Sequence, residues 1–219
     1  SKEILAERFE AEFSETDELN EYYHVSGFAH PKIPVIRSGQ SSLIQSCTWG
    51  LIPAWVKDES QAGELMKMTL NAKAETVFEK PSFKYSVKKN RCLILVDGFY
   101  EWKTIGKNKY PHFIHLKDAQ PFALGGIYSD WVNKSTGEII KTFSIITTEA
   151  NPLMAEIHNS KKRMPFILSR ENEKQWINPD LNETDVKNLM QPFSENEMDA
   201  YTVSKLVSRR DVNNNVPEV

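Results

Sequence analysis

The sequence predicts an α+β fold built on a curved, antiparallel, barrel-like β core with a few short flanking helices, and three observations carry that prediction. Short apolar or alternating runs recur along the chain, at 33–37, 43–51, 92–96, 99–104, 109–116, 122–131 and 138–147, and turn residues separate them. Helical spacing is confined to a few brief stretches. There is no internal repeat at a period of roughly 20 to 50 residues and no low-complexity tract, and many short strands with few helices point to α+β. With 219 residues, 40% of them hydrophobic and 26% charged, the chain has material for a sizeable core. A single domain over 1–219 is the expectation.

Taken in order, Ser1 to Phe13 reads as an amphipathic helix, with Leu5, Phe9 and Phe13 spaced four apart and Ser1 as a candidate N-cap. The acidic stretch from Ser14 to Leu19 leads into Tyr22-Tyr23-His24-Val25 and a looping segment punctuated by Gly27, Pro31 and Pro34. Ile33–Arg37 and Leu43–Leu51 then pair around the Ser38-Gly39-Gln40 turn. Trp49-Gly50-Leu51-Ile52-Pro53-Ala54-Trp55 breaks the second strand and offers two indoles, suited to core packing by default and to base stacking as the alternative. Lys57 to Met68 is polar enough to read as mobile chain. Cys92 to Val96, apolar throughout, predicts a strand covered on both faces. Phe99–Thr104 with Lys109–Leu116, and Phe122–Trp131 with Glu138–Thr147, form two hairpins. Asn151 as N-cap and Pro152 at the first helical position open a short helix, Leu153 to Ile157, which delivers His158 at an end where a protonated imidazole is favoured. Met164–Leu168 is a strand, Ser169 caps a helix through Ile177, and a further helix starts at Thr184 or Asp185 and reaches Met190. Asp199 to Val207 returns to alternation, and Asn213 to Pro217 is irregular.

Composition excludes several functions. No apolar run approaches the roughly 18 to 20 residues of a membrane-crossing helix, and no signal peptide opens the chain, so a cytoplasmic protein with no membrane partner is expected. The net charge of −3 gives no global pull toward nucleic acid, and any such binding must come from a local basic patch. Cys47 and Cys92 lie in apolar strands, which favours reduced, buried thiols, with a single disulfide between them as the alternative. Histidines 24, 30, 112, 115 and 158 make no metal-ligand pair at zinc-finger or HExxH spacing, and neither a metal nor a cofactor is expected. GxSxG, GxGxxG and the phosphate-loop lysine motif are missing, against a hydrolase, dinucleotide or nucleotide-triphosphate site of those types. A Cys92–His158 nucleophile pair is disfavoured, because a thiolate is costly in the most apolar run of the chain.

Three polar groups remain at breaks after apolar segments. Glu101, between Tyr100 and Trp102 at the end of a strand, should be partly desolvated, which raises a carboxyl pKa toward the range useful for proton transfer; an edge-strand Glu paired with a lysine is the plainer alternative. Asn71, between Leu70 and Ala72, is an odd choice unless its amide is used, although a local turn or cap would also explain it. His158 is the third. Together with their neighbours, Trp49-Gly50-Leu51-Ile52-Pro53-Ala54-Trp55, Leu70-Asn71-Ala72-Lys73-Ala74-Glu75-Thr76, Asp97-Gly98-Phe99-Tyr100-Glu101-Trp102-Lys103, Ile157-His158 with Arg163-Met164-Pro165, and Val203-Ser204 resemble the SOS response-associated peptidase family, also called abasic site processing proteins. The motifs fall in the family's order and span nearly the whole chain.

The resemblance implies a protein that holds single-stranded DNA containing abasic sites and crosslinks to them through an N-terminal cysteine, with an autopeptidase role in exposing that cysteine. It implies that Glu101 is the acid/base at the amine, that Asn71 orients the N-terminus, and that His158 assists opening of the sugar ring. Lys73 and Arg163 then contact phosphate, Thr147 is a polar site residue, and Trp55 is a stacking surface. This sequence departs from the family pattern in three places. The opening Met-Cys-Gly-Arg is not found before Ser1, and a short leading segment outside this numbering is expected. Asn159-Ser160-Lys161-Lys162 lengthens the loop between His158 and Arg163, so Lys161 or Lys162 shares the role of Arg163. Tyr22 to Gly27 replaces the usual arginine-tyrosine-asparagine stretch. A cysteine peptidase acting on its own leader or on another chain, and a crosslink-deficient single-strand binding module, are the alternative functions. A monomer is expected.

Overall fold

The structure is a computed structural model that describes residues 1–15, 17, 20–209 and 211–216. Leu19 and Pro217, at the ends of stretches treated above as irregular, lie outside them. The chain begins with helix α1 (Lys2–Phe9), which stops short of the expected Phe13 because Glu10 turns into the left-handed region at φ 51°. Glu12–Phe13 is instead a short strand, β1, laid parallel to Leu43 and Ile44. β2 (Lys32–Arg37) and β3 (Gln40–Trp49) follow as an antiparallel pair. The segment expected to be mobile is helix α2 (Glu59–Met68), capped by the Asp58 carboxylate, which accepts from the Gln61 N–H at 2.9 Å. Its polar composition disguised it, since only Ala62 is buried. Next come β4 (Asn71–Lys73), α3 (Ser86–Lys89), β5 (Arg91–Val96), β6 (Phe99–Ile105), β7 (Asn108–Leu116), β8 (Phe122–Val132) and β9 (Ile139–Glu149). The last third carries α4 (Pro152–Ile157), β10 (Arg163–Pro165), β11 (Ile167–Leu168), α5 (Arg170–Trp176), α6 (Glu183–Leu189) and β12 (Met198–Thr202). The N-cap of α6 is Asn182, whose side chain accepts from Asp185 N, and not Thr184 or Asp185. The alternating run expected to reach Val207 ends at Thr202, and Lys205–Ser208 is a 3-10 turn.

β3, β2, β5, β8 and β9 are hydrogen-bonded in that order, and β9 returns to β3 through Thr48↔Thr142 and Trp49↔Phe143, which closes a five-stranded barrel. The closing pair is parallel, so the barrel is mixed rather than purely antiparallel. Parallel neighbours need a long crossover. Between β3 and β9 the connection spans α2, β4, α3 and β5–β8; α2 carries the chain from β3 to β4, which also runs parallel to β9. A closed barrel leaves its member strands without free edges. β5 is buried on both faces, as its apolar run predicts: Leu93 and Leu95 join one cluster with Ile36, Ile44 and Ile146, while Cys92 and Ile94 join another with Val35, Cys47 and Phe143. Both cysteines are unpaired thiols, and burial pushes Cys47 up to about 12 and Cys92 well above its usual value.

A second sheet, β12-β7-β6, packs Ile114, Met198 and Phe99 into the cluster that holds Cys47 and Cys92, and α4 joins it through Met154 and Ile157. β6 is an edge strand of that sheet. Where Gly126 sits on β8, an added Cβ would lie 2.3 Å from Ile94 Cδ1 and 2.7 Å from the Ser144 carbonyl oxygen. Arg91 is fully buried, and its guanidinium donates to the carbonyls of Trp176 at 2.8 Å, Val87 at 2.9 Å, Lys88 at 2.5 Å and Asn178. It ties α3, β5 and the end of α5 together. Arg91→Ala leaves those acceptors unsatisfied, at a cost of about 1 to 3 kcal/mol for a buried group left without a partner. A loss of at least about 3 kcal/mol in denaturant unfolding is the expected outcome.

Candidate functional site

β9 positions half of the site. Asn71 lies opposite Ile145 and Lys73 opposite Thr147, and both alternate with fully buried Ala72, so the amide and the ammonium share one exposed face. The Asn71 side chain makes no hydrogen bond among the described residues, which leaves its amide available. On the other side of β9, Pro165 pairs with Thr147 and brings in Arg163. Its guanidinium donates to Thr147 Oγ1 at 3.1 Å, to the Thr147 carbonyl at 2.6 Å and to both carboxylate oxygens of Glu75 at 2.5 and 3.0 Å. The Arg163 hydrogen bond holds the Glu75 carboxyl below its usual range. Arg163 is thus already paired, so a phosphate would have to compete with Glu75. Nothing in the sequence pattern marked Glu75 for this role except its place in the Asn71 motif.

β6 and α4 position the other half. Glu101 lies on β6, and His158 caps the C-terminal end of α4, whose start is fixed by Asn151 accepting from Met154 N at 2.8 Å, as Asn151-Pro152 predicts. His158 Nδ1 is 2.9 Å from the Arg163 carbonyl and 3.6 Å from Glu101 Oε1. A carbonyl can only accept, so Nδ1 carries the proton and Nε2 is the nitrogen left for chemistry. The two side chains are 23% and 19% exposed, for Glu101 and His158 respectively. Burial pushes the Glu101 carboxyl above its usual range, while His158, a Trp102 backbone hydrogen bond and Lys161 pull the other way. Lys161 and Lys162 are exposed, and Lys162 adopts a left-handed φ of 50° in the lengthened loop. Through Thr147, Arg163 and His158 the fold joins Lys73 on β4 to Glu101 on β6.

Trp55 stands apart. It is 43% exposed, and its indole N–H points to the Pro81 carbonyl at 3.4 Å rather than to this group. A cavity of about 820 Å³ opens on the far face of β6, lined by Ser1, Tyr23, His24, Gly98, Tyr100 and Tyr201. Tyr100 faces it. Glu101, the next residue, points the other way toward α4. Among the described residues, no three His, Cys, Asp or Glu side chains cluster in a way that could hold a metal ion.

The family model described as SOS response associated peptidase (SRAP) matches residues 1–210. The chain belongs to this family. Among SRAP relatives, the abasic site processing protein YoqW of Bacillus subtilis is 40% identical over 223 residues, covering 94% of this chain and 95% of the relative. The abasic site processing protein HMCES of Gallus gallus is 29% identical over 197 residues, covering 80% and 56%. A solved structure of a Bacteroides thetaiotaomicron protein superposes with a TM-score of 0.89 at 41% identity, covering 98% of this chain and 94% of the other. A Bordetella bronchiseptica protein at 23% identity shares the fold, with a TM-score of 0.78 over 93% and 96%.

The SRAP site has a stability consequence. A folded-state carboxyl pKa above the unfolded one means that the fold favours protonated Glu101, so ionising it costs stability as pH rises from the unfolded value through the folded one. Glu101→Gln removes that cost. The variant is expected to melt at or above the wild-type temperature at mildly alkaline pH, with the gap closing in acid. Paired thermal melts check this, and a variant clearly less stable in alkali contradicts it.

Proposed function

We propose that this protein processes abasic sites in single-stranded DNA by covalent capture, using an N-terminal cysteine that precedes Ser1 in this numbering. The observation that carries the reading is the Glu101–His158 pair, a desolvated carboxyl 3.6 Å from an imidazole whose Nδ1 is already committed to a carbonyl. The printed names of the relatives, abasic site processing protein, support the substrate. An opened abasic sugar presents an aldehyde. The α-amine attacks its carbon, a C–N bond forms, and loss of water leaves a Schiff base. The cysteine sulfur then adds to that carbon as its proton passes to nitrogen, closing a thiazolidine with one water released overall. An α-amine, with a reference pKa of roughly 7.7 to 8.0 against about 10.4 for lysine, is far more often the neutral nucleophile at cellular pH.

In this reading Glu101 takes the proton from the amine and returns it to the departing hydroxyl, which calls for a carboxyl pKa above the ordinary range. His158 accepts the anomeric hydroxyl proton at Nε2 and passes it to the ring oxygen as the C1′–O4′ bond breaks and the aldehyde forms. Asn71, with its uncommitted amide, orients the N-terminus. Lys73, Lys161 and Lys162 meet phosphates, Arg163 does so in competition with Glu75, and Thr147 lines the path, while Trp55, apart from this group, stacks on an unpaired base elsewhere on the strand. The protein acts as a monomer in the cytoplasm, associated with the nucleoid when bound to DNA. The word peptidase in the family description favours a second use of the same residues, release of the cysteine from a leader; intact-mass measurement of the mature N-terminus decides it.

Protein carrying the native start, incubated with an abasic single-stranded oligonucleotide, is expected to give a heat-stable shifted band on a denaturing gel. Glu101→Gln should slow its appearance by about 100-fold, within the span typical of a lost acid/base. No shifted band from the wild-type protein contradicts the reading. Lys161→Ala should lower the salt dependence of binding by about one phosphate contact without changing sequence preference.

A further inference from the structure

We infer that Asn159 is the positioning residue of the proton-transfer pair, holding His158 opposite Glu101 through a two-way bridge to the backbone of Thr104. The Asn159 side-chain oxygen accepts from Thr104 N at 3.0 Å, and its amide nitrogen donates to the Thr104 carbonyl at 2.8 Å. A side-chain amide has the same donor and acceptor as a peptide group, so Asn159 occupies the free edge of β6 as one residue of an added strand would. Thr104 sits opposite Lys109 in the hairpin, and its backbone N–H and carbonyl both face this free edge.

Core packing of Met154 and Ile157 holds α4 against the sheet and the Arg163 carbonyl holds the His158 ring at Nδ1; the bridge adds a directional contact between the end of α4 and β6. α4 has six residues, too few to be stable in isolation, and His158 is its C-terminal cap, donating its N–H to the Met154 carbonyl at 2.7 Å. Glu101 and His158 come from segments 57 positions apart in sequence. Two links along β6 secure them: Lys103 Nζ meets Glu156 Oε1 at 2.6 Å, and Asn159 meets Thr104. The ion pair joins two flexible side chains, one of them 70% exposed, and tolerates sliding. The Asn159 bridge fixes register, because a two-point backbone contact fails if either segment moves along the other. Asn159 belongs to the lengthened loop, whose other function-bearing residues are lysines. The charged and titratable groups around the pair are Lys103 on β6, His112 opposite Glu101 on β7, Glu156 on α4 and Lys161 in the loop.

This inference rests on the proposed role of the pair, and its test separates the two. The Glu101 carboxyl is titrated by carbon NMR in four proteins: wild type, His158→Gln, Asn159→Ala and the double variant. Replacing His158 should move the Glu101 midpoint upward in the wild-type background and by less than half as much in the Asn159→Ala background. Crosslinking by Asn159→Ala should fall by about 10-fold, since displacement of about 1 Å is costly to positioned chemistry. The melting temperature should stay within about 2 °C because the lost bonds are exposed, and Ser160→Ala should leave rate and titration unchanged. An unaltered response to His158→Gln in the Asn159→Ala background overturns the inference, as does a rate loss that tracks a large drop in melting temperature and is matched by Ser160→Ala. If wild-type protein does not crosslink, the proposed function fails while the titration cycle still decides Asn159.

Discussion

Strand β9 bonds to β8, β3, β4 and β10, and this shared strand is the constraint on which the fold and the site both depend. Its first half closes the barrel, through β8 on one side and Thr142 and Phe143 against β3 on the other. Its second half, past the point where β3 departs, is free to take β4 on one edge and β10 on the other. Asn71 and Lys73 therefore approach Thr147 from one side and Arg163 from the other without any loop having to reach across the barrel. Side chains held by strand pairing have little freedom left to lose, which preorganises this candidate site.

Glu101 and His158 are placed less firmly, because their half of the site lies on an edge strand and a short helix. The cluster around Ile114, Met154, Ile157 and Met198 presses β7, β12 and α4 against the barrel, and Glu101 on the adjoining β6 is desolvated by burial. Burial thus raises the energy of an ionised carboxyl at the position where the proposed proton transfer calls for one. A surface ion pair with lysine would have relieved that cost. On β6 it is Lys103, two residues further along, that makes such a pair, and its partner Glu156 leaves Glu101 facing the imidazole.

Much of the fold was readable because local signals agreed with it. The apolar run of β5, the β6–β7 and β8–β9 hairpins and the Asn151-Pro152 start of α4 each follow from residue pattern or turn chemistry alone. The parallel β3–β9 closure was not readable, since register between distant strands is set by the whole core and leaves no local mark. α2 was missed because it buries only Ala62 and carries Gly63, although Asp58 ahead of it was a legible cap. In the site, the motifs singled out Asn71, Glu101 and His158, and apolar flanks pointed to a desolvated Glu101. The grip of Glu75 on Arg163 and of Asn159 on Thr104 depends on residues 88 and 55 positions apart, which no spacing rule connects.

The central claim is that Glu101 serves the nitrogen of an N-terminal amine. The crystal structure of the covalent adduct, formed between protein with its native start and an abasic oligonucleotide, tests it most directly. The account predicts a thiazolidine ring whose nitrogen lies within about 3 Å of a Glu101 carboxylate oxygen, with His158 Nε2 turned to the opened sugar. A ring nitrogen held by other groups, with Glu101 still facing only His158, would contradict it.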